Sequence, residues 1–252
     1  MKKILITGAT SGFGRATAER FAREGHEIIM TGRRAERLEA LKKELSEKYG
    51  VTVHTLAFDV QDKEAVTAAL SDNPLIDGLD VLVNNAGLAL GRDLFDEASM
   101  DDWETMIDTN IKGLLYMTRA CLPHFVAANR GHVVNVGSVA GRWTYPGGAV
   151  YSATKFAVRA LNDSLRMDLI GKNIRVTNIE PGMAETEFSE VRFKGDKVKA
   201  NAVYSGVEAL SARDIAETIL WCLSRPAHVN IQELVIFPTA QVGVGPSYTH
   251  RN

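Results

Sequence analysis

Apolar residues in this chain fall into two kinds of run. Short, nearly continuous stretches occupy 3–7, 27–31, 51–58, 81–84, 132–136, 175–179 and 233–237. Longer segments at 14–24, 35–49, 63–70, 103–128, 151–170 and 212–223 carry apolar residues at helical spacing. The two kinds alternate. A strand buried on both faces reads as a continuous apolar run, because neither face meets water. The alternation therefore predicts a parallel sheet covered on both sides by helices. Right-handed crossovers wind such a sheet outward in both directions, giving a doubly wound Rossmann fold. No repeat, low-complexity tract or linker interrupts the pattern, so residues 1–252 are expected to form a single α/β domain.

Two stretches break the alternation. Residues 184–206 are charged and poorly periodic and follow the sixth strand. Residues 238–252 form a tail with Gly243, Gly245 and Pro246. Long irregular connections in compact domains are usually functional or disordered. The first lies at the carboxyl edge of the sheet, where such folds bind ligands. It is expected to be a substrate lid, the alternative being a merely mobile loop.

Composition mainly excludes. A 45% hydrophobic and 24% charged chain is ordinary for a folded protein. A net charge of -2 gives no basic field to attract nucleic acid. No apolar run approaches the roughly 18 residues of a membrane span. The first six residues resemble the start of a signal peptide, but Thr7-Gly8 ends the run and it reads as a strand. Cys121 and Cys222 lie on expected helices, far apart in sequence, and read as buried thiols in a reducing cytoplasm. Two cysteines are too few for a structural zinc site, and no metal is expected.

Chemistry enters at Thr7-Gly8-Ala9-Thr10-Ser11-Gly12-Phe13-Gly14, between the first strand and the first helix. Glycines there let the backbone turn tightly and approach a pyrophosphate, while the helix N-terminus offers unpaired N–H groups. About 20 residues on, an enzyme using NAD usually carries an acid for the ribose. Here the second strand ends in Thr31-Gly32-Arg33-Arg34 instead. Guanidinium can hold a 2′-phosphate that an acid would repel. NADP is therefore the expected cofactor, with Arg33 and Arg34 on the phosphate, or with Arg34 simply an exposed charge at a helix start. Asp59-Val60 ends the third strand, where an adenine edge could be read, although Asp59 or Asp62 could equally cap a helix. Asn84-Asn85-Ala86-Gly87 ends the fourth strand with residues small enough for close packing against a cofactor.

Tyr151 and Lys155 are spaced i, i+4 and project from one helix face. To act as a base near neutral pH, a tyrosine must shed about 3 from a pKa of roughly 10, which takes roughly 4 kcal/mol. A close lysine ammonium favours the phenolate, and so does a positive nicotinamide ring; one such cation, partly shielded from water, together with hydrogen bonds is expected to supply it. Ser138 follows the fifth strand, where its hydroxyl can orient a substrate oxygen or merely cap a turn. Asn110 sits inside a helix, an unfavoured place for asparagine, and could hold a water linked to Lys155.

Thr7-Gly-x3-Gly-x-Gly14, Asn84-Asn-Ala-Gly87, Asn110, Ser138, Tyr151-x3-Lys155 and Pro181-Gly182, in that order, resemble the short-chain dehydrogenase/reductase family. The resemblance implies a seven-stranded parallel sheet and a catalytic tetrad. Asn110 would relay water, Ser138 bind the substrate oxygen, Tyr151 act as acid/base, and Lys155 hold the cofactor ribose and lower the tyrosine pKa. Pro181, Gly182 and Thr186 would border the nicotinamide. A homotetramer built through the helices beginning near Trp103 and Tyr151 is also implied. Segments 86–91, 102–110, 186–196 and 226–231 are similar to those members that use NADP to oxidise small 3-hydroxy acids, among them serine and L-allo-threonine, or to reduce malonic semialdehyde. Such substrates carry a carboxylate. The basic residues near the expected pocket are Arg142, Arg192 and Lys194, of which Arg192 is favoured, the alternative being that it is a solvated surface charge, with Tyr145, Pro146, Gly147 and Met183 shaping the wall. Trp143 packs either there or at a subunit contact. The competing functions are reduction of another carbonyl class, such as 3-oxoacyl thioesters or sugar ketones, and NADP sensing without chemistry.

Overall fold

The computed structural model describes residues 1–245 and Thr249; Pro246 lies outside the described residues. In chain order the elements are β1 (Lys3–Ile6), α1 (Gly12–Arg23), β2 (Glu27–Gly32), α2 (Ala35–Tyr49), β3 (Val53–Ala57), α3 (Lys63–Leu70), β4 (Val81–Asn84) and α4 (Met100–Ile107). A π-helical turn, Asp108–Gly113, leads into α5 (Leu114–Ala128), then β5 (Gly131–Val136), the 3-10 turn Val139–Gly141, α6 (Ala149–Asp168) and β6 (Ile174–Pro181). The rest is β7 (Ala184–Glu185), α7 (Phe188–Arg192), α8 (Lys197–Ala202), β8 (Leu210–Ser211), α9 (Ala212–Leu223) and β9 (Glu233–Ile236).

Among the described residues, seven strands pair in parallel in the order β3-β2-β1-β4-β5-β6-β9. Successive strand residues point to opposite faces. Ile4, Ile6, Met30 and Val134 pack with Phe21 of α1, Leu38 of α2 and Ile219 of α9. Their neighbours Leu5, Ile29 and Val133 pack with Leu70 of α3 and with Met117, Cys121 and Phe125 of α5. Two buried layers around one sheet explain why the strands read as continuous apolar runs. Cys121 and Cys222 are free and buried, one in each layer. Burial pushes their thiols up to about 12 and about 11, so both stay protonated. No helix among the described residues is long and apolar enough to cross a membrane.

Two departures from the sequence pattern matter for the site. The helix expected at 103–128 starts earlier and is interrupted by the π turn that contains Asn110. The side chain of Asn110 bonds outside the helix, which explains why asparagine stands there: Nδ2 donates to Leu88 O at 2.8 Å and to Thr154 Oγ1 at 3.0 Å. The segment expected to be irregular contains α7 and α8, and its base is pinned where β7 pairs with β8, Ala184 against Leu210 and Glu185 against Ser211. Arg175 closes the end of α9: its guanidinium donates to the carbonyls of Cys222 and Leu223, both at 3.1 Å. Those carbonyls have no partner within the helix, and a cation there also meets the negative dipole end.

His132 on β5 is buried, with Nε2 2.7 Å from Thr177 Oγ1 and no partner for Nδ1 among the described residues. Burial, then the positive charge of Arg175, pushes its pKa down to about 3. The unfolded chain binds a proton near pH 6.5 while the folded chain does not, so stability falls as pH drops from 6.5 towards 3. At pH 5 the loss from this one residue is about 2 kcal/mol relative to neutrality. Urea unfolding at pH 7.5 and pH 5 is expected to show this fall in the native chain and a much smaller one in His132→Gln, which can still bond Thr177.

Candidate active site

The sheet order reverses between β1 and β4, and the loops leaving these strands diverge there. Asn85 and Thr7 stitch them together. Asn85 Nδ2 donates to Thr7 O at 2.8 Å and Gly8 O at 3.2 Å, and Thr7 Oγ1 accepts from the N–H groups of Asn85 and Ala86 at 3.0 and 2.9 Å. Gly8 takes a left-handed φ of 64°, which disfavours any side chain. Gly14 has no room for one: an added Cβ would lie 2.4 Å from Gly8 O and 2.5 Å from Asn85 Nδ2. The start of α1 carries no acid, and its cap Ser11 makes no capping bond, so no side chain claims the first N–H groups. This backbone cradle suits a pyrophosphate.

Next to it, Arg34 Nη2 donates to Thr10 Oγ1 at 2.7 Å and Ser11 Oγ at 3.1 Å. Arg33 pairs with Asp59 at 3.6 Å. Asp62, not Asp59, caps α3, accepting from Ala65 N at 2.9 Å, which resolves the two capping candidates. With two guanidinium groups beside the cradle and no acid at the end of β2, the residues fit a dinucleotide with an extra phosphate. Glu187, from the segment after β7, reaches Arg34 and Arg37, each at 3.5 Å. Thr186 packs near Gly12.

Further along the same cavity, of about 700 Å³, lie Phe13, Val60, Ala86, Gly87, Ser138, Tyr145, Tyr151, Lys155, Pro181, Gly182 and Arg192. Ser138 begins the 3-10 turn and accepts from Ala140 N at 3.1 Å. Lys155 Nζ donates to Val136 O at 2.8 Å and lies 5.8 Å from the centroid of the Tyr151 ring. Burial lowers the Lys155 pKa to about 8.

Burial dominates the electrostatics of Tyr151. Burial, followed by the neighbouring Tyr145, pushes its phenol above its ordinary value. The influences favouring the phenolate are a hydrogen bond with Ser138 and the positive charge of Arg192, and they are outweighed. Desolvation of a fully enclosed ring costs more than neighbouring groups return. Asn110 has a bracing role. Both hydrogens of its amide group are engaged, and Oδ1 already accepts from Leu88 N at 2.9 Å, so it braces the loop after β4 against α6.

Of the basic residues considered for a carboxylate, Arg142 turns away from the cavity and pairs with Glu180 and Glu233. Lys194 pairs with Asp102 at 2.8 Å. Arg192 remains: its guanidinium lies 5.4 Å from the Tyr145 centroid and 5.8 Å from that of Tyr151. Nε donates to Gly91 O at 3.0 Å, which orients the group. Trp143 is 45% exposed and stacks on Phe237, 6.2 Å between centroids, outside the cavity lining.

Sequence reasoning missed Arg92, Phe188, Tyr204 and Gln241, all of which line the cavity. Gln241 Oε1 accepts from Met183 N at 2.6 Å, bringing the tail over the end of β6. Only the folded chain brings these residues together, and no spacing in the sequence marks them.

The family profile described as short chain dehydrogenase matches residues 2–197. The chain is 52% identical over 251 residues to NADP-dependent 3-hydroxy acid dehydrogenase YdfG of Salmonella typhi, covering 99% of both. It is 51% identical over 245 residues to serine 3-dehydrogenase of Rhizobium radiobacter, covering 96% of both. A solved structure of the closed form of serine dehydrogenase complexed with NADP+ superposes with a TM-score of 0.91 at 48% identity, covering 99% of this chain and all of that one.

A Cβ on Gly87 would stand 3.2 Å from Asn110 Oδ1 and 3.6 Å from Lys155 Nζ. It would fill the space in which a water can bond both groups. Gly87→Ala is expected to lower turnover by about tenfold to a hundredfold, with the melting temperature little changed. Unchanged turnover would show that this space carries no proton traffic.

Proposed function

The chain belongs to the short-chain dehydrogenase family, and from that premise we propose that it oxidises small 3-hydroxy acids with NADP and reduces the matching 3-oxo acids. Serine, L-allo-threonine and the 3-hydroxypropionate/malonic semialdehyde pair represent the substrate class. One observation carries the proposal: Arg192 stands over the Tyr151 ring, in the cavity that also holds Ser138 and Lys155. In a 3-hydroxy acid one carbon separates the carboxylate from the reacting carbon, so a carboxylate partner has to stand beside the acid/base. Thioesters, sugar ketones or a sensing role would leave that arginine without a purpose.

The cofactor would supply the hydride chemistry at C3, as NADP+ in oxidation and NADPH in reduction. Ser138 hydrogen-bonds the substrate oxygen. Tyr151, held above its ordinary pKa, is the neutral acid that protonates the oxygen as the carbonyl is reduced. In oxidation it receives the hydroxyl proton, and Ser138 and Arg192 favour the phenolate. Lys155, with a pKa of about 8 and near Asn110, passes protons onward and holds the cofactor ribose. Arg33 and Arg34 take the 2′-phosphate, the Gly8–Gly14 loop with Thr10, Ser11, Gly12 and Phe13 takes the pyrophosphate, and Asp59 and Val60 border the adenine. Asn85, Ala86 and Gly87 face the middle of the cofactor, and Pro181, Gly182 and Thr186 the nicotinamide. Tyr145 shapes the substrate wall, and 184–206 covers the cavity as a lid. Exposed Met100, Ile107, Leu115 and Phe156, on α4, α5 and α6, support burial of these helices in a homotetramer. A cytoplasmic location accords with the protonated, unpaired thiols.

Initial rates with NADP and NAD against L-serine, L-allo-threonine, 3-hydroxypropionate and a neutral secondary alcohol test the assignment. NADP-linked rates on the acids, well above the alcohol, are expected. Turnover of the alcohol alone would discard the acid class.

The cofactor assignment has its own test. Arg33→Glu is expected to raise KM for NADP by about tenfold or more, with the KM for NAD unchanged or lower. An undiminished preference for NADP would remove Arg33 from the phosphate site.

A further inference from the structure

Tyr145 carries two guanidinium groups. That of Arg192 lies 5.4 Å from its ring centroid and that of Arg92 lies 5.8 Å away. Arg92 is exposed, stands on the loop that follows β4, and lines the cavity. The backbone holds the two arginines together: Gly91 N donates to Arg192 O at 2.9 Å, and Arg192 Nε donates back to Gly91 O at 3.0 Å. Arg192 Nη2 also reaches Gly147 O at 3.4 Å. A loop held to α7 in this way keeps residue 92 beside residue 192.

The charge lining the cavity beside them is one-sided, while outside the lining the carboxylates of Asp93 and of Asp102, the latter paired with Lys194, stand close to Gly91. Among the described residues lining the cavity, the acids are Asp59 and Glu187. Both stand at the opposite end and are already matched, by Arg33 and by Arg34 with Arg37. Among the described residues neither Arg92 nor Arg192 has a carboxylate partner. A substrate with a single carboxylate satisfies one of these cations and leaves the other facing it. An ammonium group on C2 would enter a field of like charge with no acid to receive it.

We propose that Arg92 reads a second anionic group, so that the site takes 3-hydroxy and 3-oxo acids carrying a further carboxylate, and prefers them to 3-hydroxy amino acids. The inference rests on the assignment of Arg192 to the first carboxylate. A 3-hydroxy dicarboxylate such as 3-hydroxyglutarate presents one carboxylate on each side of the reacting carbon. Arg192 beside Tyr151 and Arg92 across Tyr145 match that disposition, and Tyr145 spaces the two readers. Arg92 is a specificity determinant in this account, and the tetrad acts on the C3 oxygen unaided by it.

The test uses the enzyme loaded with NADPH and non-reacting acids, so that binding is read apart from turnover. Calorimetric titration with glutarate and with butyrate is carried out on the native chain, Arg92→Ala, Arg92→Lys and Arg192→Ala. Glutarate is expected to bind the native enzyme about tenfold more tightly than butyrate. Arg92→Ala should abolish that advantage and leave butyrate within about twofold, Arg92→Lys should keep part of it, and added salt should erode it. Arg192→Ala should weaken both acids. In turnover, kcat/KM for 3-hydroxyglutarate should exceed that for L-serine and fall selectively in Arg92→Ala. Equal binding of the two acids, binding of neither, or equal loss of both in Arg92→Ala overturns the role of Arg92. If Arg192→Ala leaves butyrate binding intact while Arg92→Ala still removes the glutarate advantage, the fault lies with Arg192 and not with Arg92.

Discussion

The stitch between Thr7 and Asn85 is the constraint on which the site depends. In a doubly wound sheet the crevice opens where neighbouring strands send their chains to opposite faces, here between β1 and β4. Two loops leaving in opposite directions would be free to splay. One hydroxyl accepting two N–H groups and one amide donating to two carbonyls fix their separation. The absence of a side chain at Gly14 lets the start of α1 approach Gly8 and Asn85. Asn110 extends the bracing from the β4 loop to α6, the helix that carries Tyr151 and Lys155. Both ends of the cavity are thereby referred to the same pair of strands.

A second set of ties holds the reacting end. Arg142, just past Ser138, reaches across to Glu180 on β6 and Glu233 on β9, and Arg159 of α6 also meets Glu233 at 2.8 Å. Glu180 is fully buried, and burial raises its pKa against the pull of Arg142. Buried ion pairs add little net stability, yet they are costly to break one partner at a time. Here they join the Ser138 loop, α6 and the last two strands, where a small shift would alter the distance from Ser138 to Tyr151.

Sequence reasoning reached far into this molecule because its signals are local. Burial on both faces made the central strands of the sheet legible, all seven strands fall within about two residues of their expected bounds, and the bounds of α2, α3 and α9 agree with the expected ones. Glycine spacing, the paired arginines after β2 and the Tyr151–Lys155 repeat are also local patterns, and the folded chain gathers them in one cavity. What escaped is long-range. The periodicity of 103–128 conceals a π turn, because a single wider turn hardly disturbs an apolar stripe. Arg142 and Arg192 look alike as sequence, and only the position of Glu180 separates a structural arginine from one facing the cavity. Spacing reports the neighbours of Tyr151 and says nothing of the burial that raises its pKa in the folded chain. Arg92 and Gln241 owe their places to loops packed on α7 and on the end of β6.

The two-residue pairing of β7 with β8 has a thermodynamic consequence. It holds Glu185 beside Ser211, so the chain between them is a closed ring of protein rather than a span with free ends. The entropy of bringing distant residues together is lost once, when the chain folds. Later movements of α7 and α8 inside the ring need only local changes in dihedral angle. Polymer statistics thus separate the shape of the cavity roof from the integrity of the sheet beneath it, and the roof can vary in sequence or length at little risk to the fold.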